Sequence, residues 1–265
     1  MKILLFSDPV ADDISLSLTP EIKDRITLID SVKERQPPKD YYQKLYDLAT
    51  DSQRFIITLF PDELFAGGFN FEKIKQTKGN IYTVNNLEEA LLVAKSHRRQ
   101  AVVFPATGFD HLSAAVAAAL IKAKMAGIRN FRILNDLRSG EALLKHLLTK
   151  HPGTDGVLIT EALANILGKE KIIEISRDYK VYFAVANKDD AAEKINLLSA
   201  NIQARNQRNL LNADIRDFPN KLLMSVIEEV FQRKDGFWET EGTVKTGRYI
   251  LREGYKTFGI DEYKN

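Results

Sequence analysis

Four consecutive residues, Gly108-Phe109-Asp110-His111, hold the types best suited to chemistry in this chain. They close a strand-like run and open a helical one, where free backbone N–H groups and the helix dipole can hold an anion. Two roles are open to Asp110: a site residue, or an N-cap for the helix that follows. His111 is either an acid–base group near neutral pH or a structural side chain. Other strand ends offer Ser7 and Asp8, Asp62, Thr107, Asn135 with Asp136, and Thr160 with Glu161. With Gly108, Asp110 and His111 these form the candidate ligand-binding set, expected in a crevice between two lobes, where the carboxyl ends of strands meet. Asp8, Asp62 and Asp110 are hard oxygen donors, but their spacing is too dispersed to predict a metal site. No catalytic residue is assigned, and whether the chain is an enzyme stays open.

These residues must be positioned by alternating short apolar runs and longer helical patterns, the signature of parallel sheets with crossover helices. Strands are expected at Ile3–Phe6, Ile26–Ile29, Phe55–Leu59, Ile81–Val84, Val102–Phe104, Phe131–Leu134, Gly156–Ile159 and Val181–Val185. Helices are expected at Asp40–Thr50, Leu87–His97, Ser113–Ala126, Glu141–Leu148, Thr160–Leu167 and Lys221–Phe231, with a long polar helical stretch between Asp189 and Asn212. Leu87, Ala90, Leu91 and Ala94 share one helical face, with Asn85 or Asn86 as cap and Gly127 ending the alanine-rich helix. The fold class is therefore α/β, two Rossmann-like lobes with parallel sheets and crossover helices. One closed barrel is the competing architecture. The expected division is 1–85 plus 217–265 as the first lobe and 86–216 as the second. Val32–Lys39, with Pro37-Pro38, reads as a linker, Gly67-Gly68 as backbone geometry, and the aromatics Trp238, Tyr249, Tyr255 and Phe258 as closing a core edge.

Composition narrows the function. A net charge of +2, with basic residues interspersed among acids, predicts no nucleic-acid partner and no anionic membrane. The longest apolar run, Ala114–Ile121, is far short of the ~20 residues a membrane span needs. Lys2–Phe6 reads as a first strand rather than a signal peptide, which predicts a cytoplasmic protein. The 265 residues contain no cysteine, so they supply no disulfide, no thiolate ligand and no thiol nucleophile.

Several segments, in order, resemble the hydrogenase-maturation family HypD. They are Lys2–Phe6, Phe55–Asp62 (FIITLFPD), Val103–Asp110 against the family's GFETTAP, Gly127–Phe131 (GIRNF) against GLKNF, Asp155-Gly156, Asn206-Gln207, Glu228–Phe231, Trp238, Gly242, Leu251-Arg252 and Tyr255. The family's CGTHT turn falls on Ser7–Ala11 and its GPGCPVC loop within Ser31–Pro38, with serine or other non-thiol residues in place of the cysteines. The CGTHT histidine falls on Val10, and that of the family's GPGH falls on Ala162.

The resemblance implies a HypD-like fold and a place in assembling the metal centre of nickel–iron hydrogenases. It also implies a partner of the HypC type, a small β-barrel chaperone, or another maturation protein. The family's thiols hold iron and a later cysteine-rich segment binds an iron–sulfur cluster; the chain ends at Asn265 and is expected to lack that segment. The expected function is thus a cysteine-free scaffold or binding module with no cofactor. The alternative is an enzyme or binder of a small anionic metabolite acting through Asp110, His111 and Glu161.

Overall fold

The computed structural model describes residues 1–6, 18, 20–31, 37–187, 189–204, 209–211, 215–240 and 242–260, with backbone only over 235–240 and 242–246. Ser7, Asp8, most of the Val32–Lys39 linker, Asn206-Gln207 and the Trp238 side chain lie outside the described residues. Two four-stranded parallel sheets form the framework. The first contains β1 (Lys2–Phe6), β2 (Thr27–Asp30), β7 (Gly156–Ile159) and β8 (Tyr182–Val185), in the order β2-β1-β7-β8. The second contains β3 (Phe55–Leu59), β4 (Ile81–Thr83), β5 (Ala101–Gly108) and β6 (Phe131–Leu137), in the order β4-β3-β5-β6. Each sheet thus places its first strand inside, its second at one edge, and its third and fourth on the other side. Continuous apolar runs occupy the inner positions, with all of FIITL in β3 and GVLI in β7 buried, whereas edge strand β2 is half-exposed. An inner strand is covered on both faces and needs no polar side.

The helices are α1 (Pro20–Lys23), α2 (Lys39–Thr50), α3 (Phe71–Lys78), α4 (Leu87–Ser96), α5 (Asp110–Met125), α6 (Gly140–Lys150), α7 (Glu161–Tyr179), α8 (Ala191–Gln203) and α9 (Lys221–Val230). Helix α4 buries Leu87, Ala90, Leu91 and Ala94, the face its periodicity predicts. Asn86 caps it, accepting the Glu89 N–H at 3.0 Å. Gly127, at φ 66°, ends α5 and lets the Ile128 N–H reach back to the Ala123 carbonyl at 2.9 Å. Helix α2 starts at Lys39 behind Pro38, one residue before the expected start, so Asp40 lies in its first turn. No helix among the described residues is long and apolar enough to cross a membrane.

The chain divides into two compact units, 1–36 with 140–224 and 37–139 with 225–265, which corrects the expected boundaries. Strands β7 and β8 join β1, not β5 and β6. A crossover helix can carry the chain to either side of a strand, so sheet membership follows register and burial rather than chain order. The tail was expected to return to the lobe that begins the chain. After α9 it forms an antiparallel hairpin, β9 (Phe231–Thr240) and β10 (Gly242–Leu251), and joins the unit holding β3 to β6. Bridges Arg138↔Arg248 and Ile133↔Gly259 seat it there.

Helix α7 was expected to stop at Leu167, and its regular geometry does break at Gly168 (φ 75°, ψ 160°) before it resumes to Tyr179. The N–H groups freed at the break donate to the Arg216 carbonyl (from Lys169, 2.8 Å) and the Asp217 carbonyl (from Glu170, 3.0 Å). A Cβ on Gly168 would stand 2.4 Å from the Phe218 carbonyl carbon. Gly168→Ala therefore meets both a glycine-only backbone conformation and a backbone clash. Urea denaturation should show a loss of about 2 kcal/mol or more, and a loss below half a kilocalorie would contradict the close approach.

Candidate functional site

The second sheet reverses its strand order between β3 and β5, and there the two strands part. Their ladder runs only from Phe55↔Ala101 to Ile57↔Val103, while β5 continues beside β6 to Gly108↔Leu137. Pro105, which has no N–H, occupies the stretch where β3 no longer pairs. Thr58 Oγ1 donates to the Val103 carbonyl at 3.2 Å, satisfying an acceptor at the point of separation. The carboxyl ends of β3 and β5 thus open a switch point, the standard position for a site in such sheets.

At this pole the structure gathers Asp62, Thr107, Gly108, Asp110 and His111 from the candidate set. Thr160 and Glu161 lie at the carboxyl end of β7, in the other unit. Thr160 is the N-cap of α7, accepting the Leu163 N–H at 3.2 Å, and Glu161 accepts from Asn187 Nδ2 at 3.5 Å. Asp62 and His111 are exposed. Gly108 has φ 138°, a conformation L side chains rarely adopt, and its carbonyl accepts the Arg138 N–H at 2.9 Å. Substitution at Gly108 consequently strains the backbone and cannot report on a ligand alone.

Asp110 fits neither expected role in simple form. It occupies the first helical position of α5, after Phe109, and is only 3% exposed. Its carboxylate accepts the Tyr249 hydroxyl of β10 at 2.5 Å. Tyr249 is itself 4% exposed. Burial, then the Asp110 charge, holds its phenol well above the ordinary tyrosine range, so the hydroxyl stays a donor. Asn135 Nδ2 donates to the Tyr249 carbonyl at 2.7 Å.

A second buried carboxylate, Asp136 on β6, is 3% exposed and lies between two guanidinium groups. One is Arg138, 1% exposed and two residues along the chain; the other is Arg248 of β10, at 3.3 Å. Burial lowers Arg138 to about 10, against the opposing pull of Asp136, so it remains cationic at neutral pH. Farther across the pole, Tyr41 of α2 donates to the Leu134 carbonyl at 2.9 Å. Burial, and then the nearby Glu63, raises both Tyr41 and Tyr42, the latter to about 12.

Glu63 follows β3 in a 3₁₀ segment, Pro61–Gly68, and accepts the Phe60 N–H at 2.7 Å. Burial pushes its carboxyl up to about 7 despite that hydrogen bond, with Asp62 adding to the rise. Gly67, at φ 62°, leaves room for Tyr42, whose ring carbon would lie 2.2 Å from a Cβ there. Gly67 thus admits an aromatic neighbour as well as serving backbone geometry.

The sequence pattern found Asp110 and Asp136, read Tyr249 only as an aromatic closing a core edge, and missed Glu63, Arg138 and Arg248. Spacing Asp136-x-Arg138 places both side chains on one face of a strand and was the available signal. Nothing local marks Arg248 and Tyr249, which arrive from more than a hundred residues away. Iron on thiolates or a cysteine-bound cluster does not fit these donors. The 265 residues hold no cysteine, and among the described residues no three His, Asp or Glu side chains converge as metal ligands.

A family model described as "HypD: Hydrogenase formation hypA family" matches residues 37–264. The chain is 29% identical over 201 residues to a Methanocaldococcus jannaschii protein named for hydrogenase expression and formation, covering 72% of this chain and 55% of that one. It is 23% identical over 210 residues to the hydrogenase maturation factor HypD of Cupriavidus necator, covering 74% and 55% respectively. The chain spans about half the length of the curated relatives it matches. The family match begins at residue 37, after Ser7–Ala11 and near the end of Ser31–Pro38, where the thiol-bearing motifs of the resemblance fall.

Two outcomes test this pole. Tyr249→Phe keeps the ring but removes the donor to Asp110, so stability should fall by about 2 kcal/mol with an unchanged denaturant slope. Glu63, raised from 4.5 to about 7, makes the folded chain bind more protons than the unfolded chain in that interval. Its stabilising contribution is full below pH 4.5 and is lost as pH rises through 7. Glu63→Gln should abolish that decline, gaining on the order of 1–3 kcal/mol over wild type above neutrality; parallel stability–pH curves would refute the burial of this carboxyl.

Proposed function

The chain belongs to the HypD family of hydrogenase formation proteins, and from that premise we propose that it acts in hydrogenase metallocentre assembly as a scaffold. In this reading it engages another maturation protein and does not itself hold iron on thiolates. The observation that carries the reading is the commitment of the switch-point groups to structure. Asp110 is engaged by Tyr249, and Asp136 by Arg138 and Arg248. Buried groups held this way brace a surface and are poorly placed to meet a substrate. The missing thiols point the same way, since the remaining oxygen and imidazole donors are poor ligands for low-valent iron. The partner class is a small β-barrel chaperone of the HypC type or another maturation protein, and the setting is the cytoplasm.

The second reading is a small anionic metabolite bound through Asp110, His111 and Glu161. The N–H groups at the start of α5 and the open φ of Gly108 favour it. The buried Asp110 carboxylate opposes it, because it already places negative charge at that helix start, and Glu161 belongs to the other unit. The scaffold reading therefore stands first.

Purification from cells making active hydrogenase tests the choice. The expected result is co-elution with a HypC-type chaperone or another maturation protein and far less than stoichiometric iron. Stoichiometric iron with infrared bands of bound cyanide or carbon monoxide would overturn the reading, as would a chain that elutes alone.

A further inference from the structure

The second sheet has another pole, at the amino-terminal ends of its strands, and its character is opposite. Between Glu89 and Asp136 the chain contains a single acid, Asp110, which lies at the carboxyl pole. The same stretch carries Lys95, Arg98, Arg99, Arg129 and Arg132, all lining one open cavity of about 720 Å³ with no acid in its wall. Among the described residues Lys95, Arg98, Arg99 and Arg129 form no ion pair. What sets this stretch apart is the near absence of acids, which leaves an ordinary density of cations unneutralised.

The backbone that carries them is pinned. Asn130 Nδ2 donates to the carbonyls of Ala94, His97 and Gln100 at 2.9 to 3.0 Å, fixing the turn that bears Arg98 and Arg99. Arg132 Nη1 donates to the carbonyls of Arg129 and Phe131 at 2.6 and 2.8 Å, tying the start of β6 to the turn after α5. Basic residues near the ends of α4 and α5 would serve the helix dipoles, but each dipole end amounts to about half a charge. Lys95, Lys122 and Lys124 already stand in those last turns. The arginines beyond them exceed what the helices need.

We propose that this cavity binds a compact multivalent oxyanion of the phosphate class. Guanidinium forks match phosphate oxygens in bidentate geometry, and several of them around one cavity suit a ligand with more than one charge within a few ångströms. The volume lies in the range of small-molecule sites. An extended acidic peptide fits less well, because the tail bridges β6 at Ile133 and bonds Asn135 and so occupies the edge it would extend. The lining has no aromatic residue on which a nucleobase could stack. The inference is independent of the scaffold reading, since the cavity lies at the pole away from Asp110 and Asp136.

Isothermal titration of the purified chain with pyrophosphate at low ionic strength tests it. Expected is one saturable site, weakened at least tenfold in Arg99→Ala/Arg129→Ala, with circular dichroism unchanged. The charge-matched control Lys23→Ala/Arg177→Ala should bind within twofold of wild type. No saturable binding, equal loss in both double variants, or retention of affinity in Arg99→Ala/Arg129→Ala would overturn the proposal. Tighter binding of hexaglutamate or of single-stranded RNA than of pyrophosphate would also overturn it, in favour of a macromolecular partner.

Discussion

An ionised carboxylate taken out of water costs several kilocalories unless hydrogen bonds and opposite charge replace its hydration. Asp110 and Asp136 are both buried at the carboxyl end of one sheet, and the requirement to satisfy them organises that end. The C-terminal hairpin supplies what the sheet lacks: the Tyr249 hydroxyl for Asp110 and the Arg248 guanidinium for Asp136. The Arg138↔Arg248 bridge and the Asn135 bond to Tyr249 hold β10 where those groups reach their acids. Residues 225–260 are thus part of this unit's fold, and the chain must leave after Ser139 and return at Ser225 to complete it.

The same constraint bears on function. A switch point in a parallel sheet is where ligands usually bind, because strands diverge and helix starts present free N–H groups. Here β3 and β5 diverge in that way, but the acids beside the gap are occupied by the tail. In the resemblance the family's iron chemistry rests on thiolates, whereas this pole offers hydroxyls, carboxylates and one of the chain's four histidines, His111. His97 is engaged by the Tyr82 hydroxyl at 3.1 Å and the Val93 carbonyl at 3.0 Å, a structural role. A braced surface is what the geometry best provides, while the opposite pole offers arginines on a fixed backbone with open space between them.

Both sheets repeat one strand order, although neither unit is a continuous piece of chain. In each, the first strand in the chain is buried and apolar, its successor pairs at one side, and the next two lie at the other. This scheme tolerates long excursions, because parallel pairing needs a crossover in any case and its length costs little beyond closure.

The amino-acid pattern alone determined the parallel strands and most of the crossover helices, but neither α3 nor the β9–β10 hairpin. The parallel strands were legible because the inner ones read as unbroken apolar runs and the edge ones as short Ile-, Val- and Phe-rich runs between helical patterns. Helix α4 was legible because its apolar face recurs at the helical period. Gly127 marked a helix end, since few other residues enter the left-handed region cheaply. Membership of the HypD family was legible in the order of short segments. Tertiary structure decided which strands share a sheet, because a crossover does not encode its destination. It also decided that Asp110 is a buried acid held by Tyr249, and that Asp136 is shared between Arg138 and Arg248. Residues 139 positions apart meet only because the hairpin packs beside β6, and no local periodicity carries information over that separation.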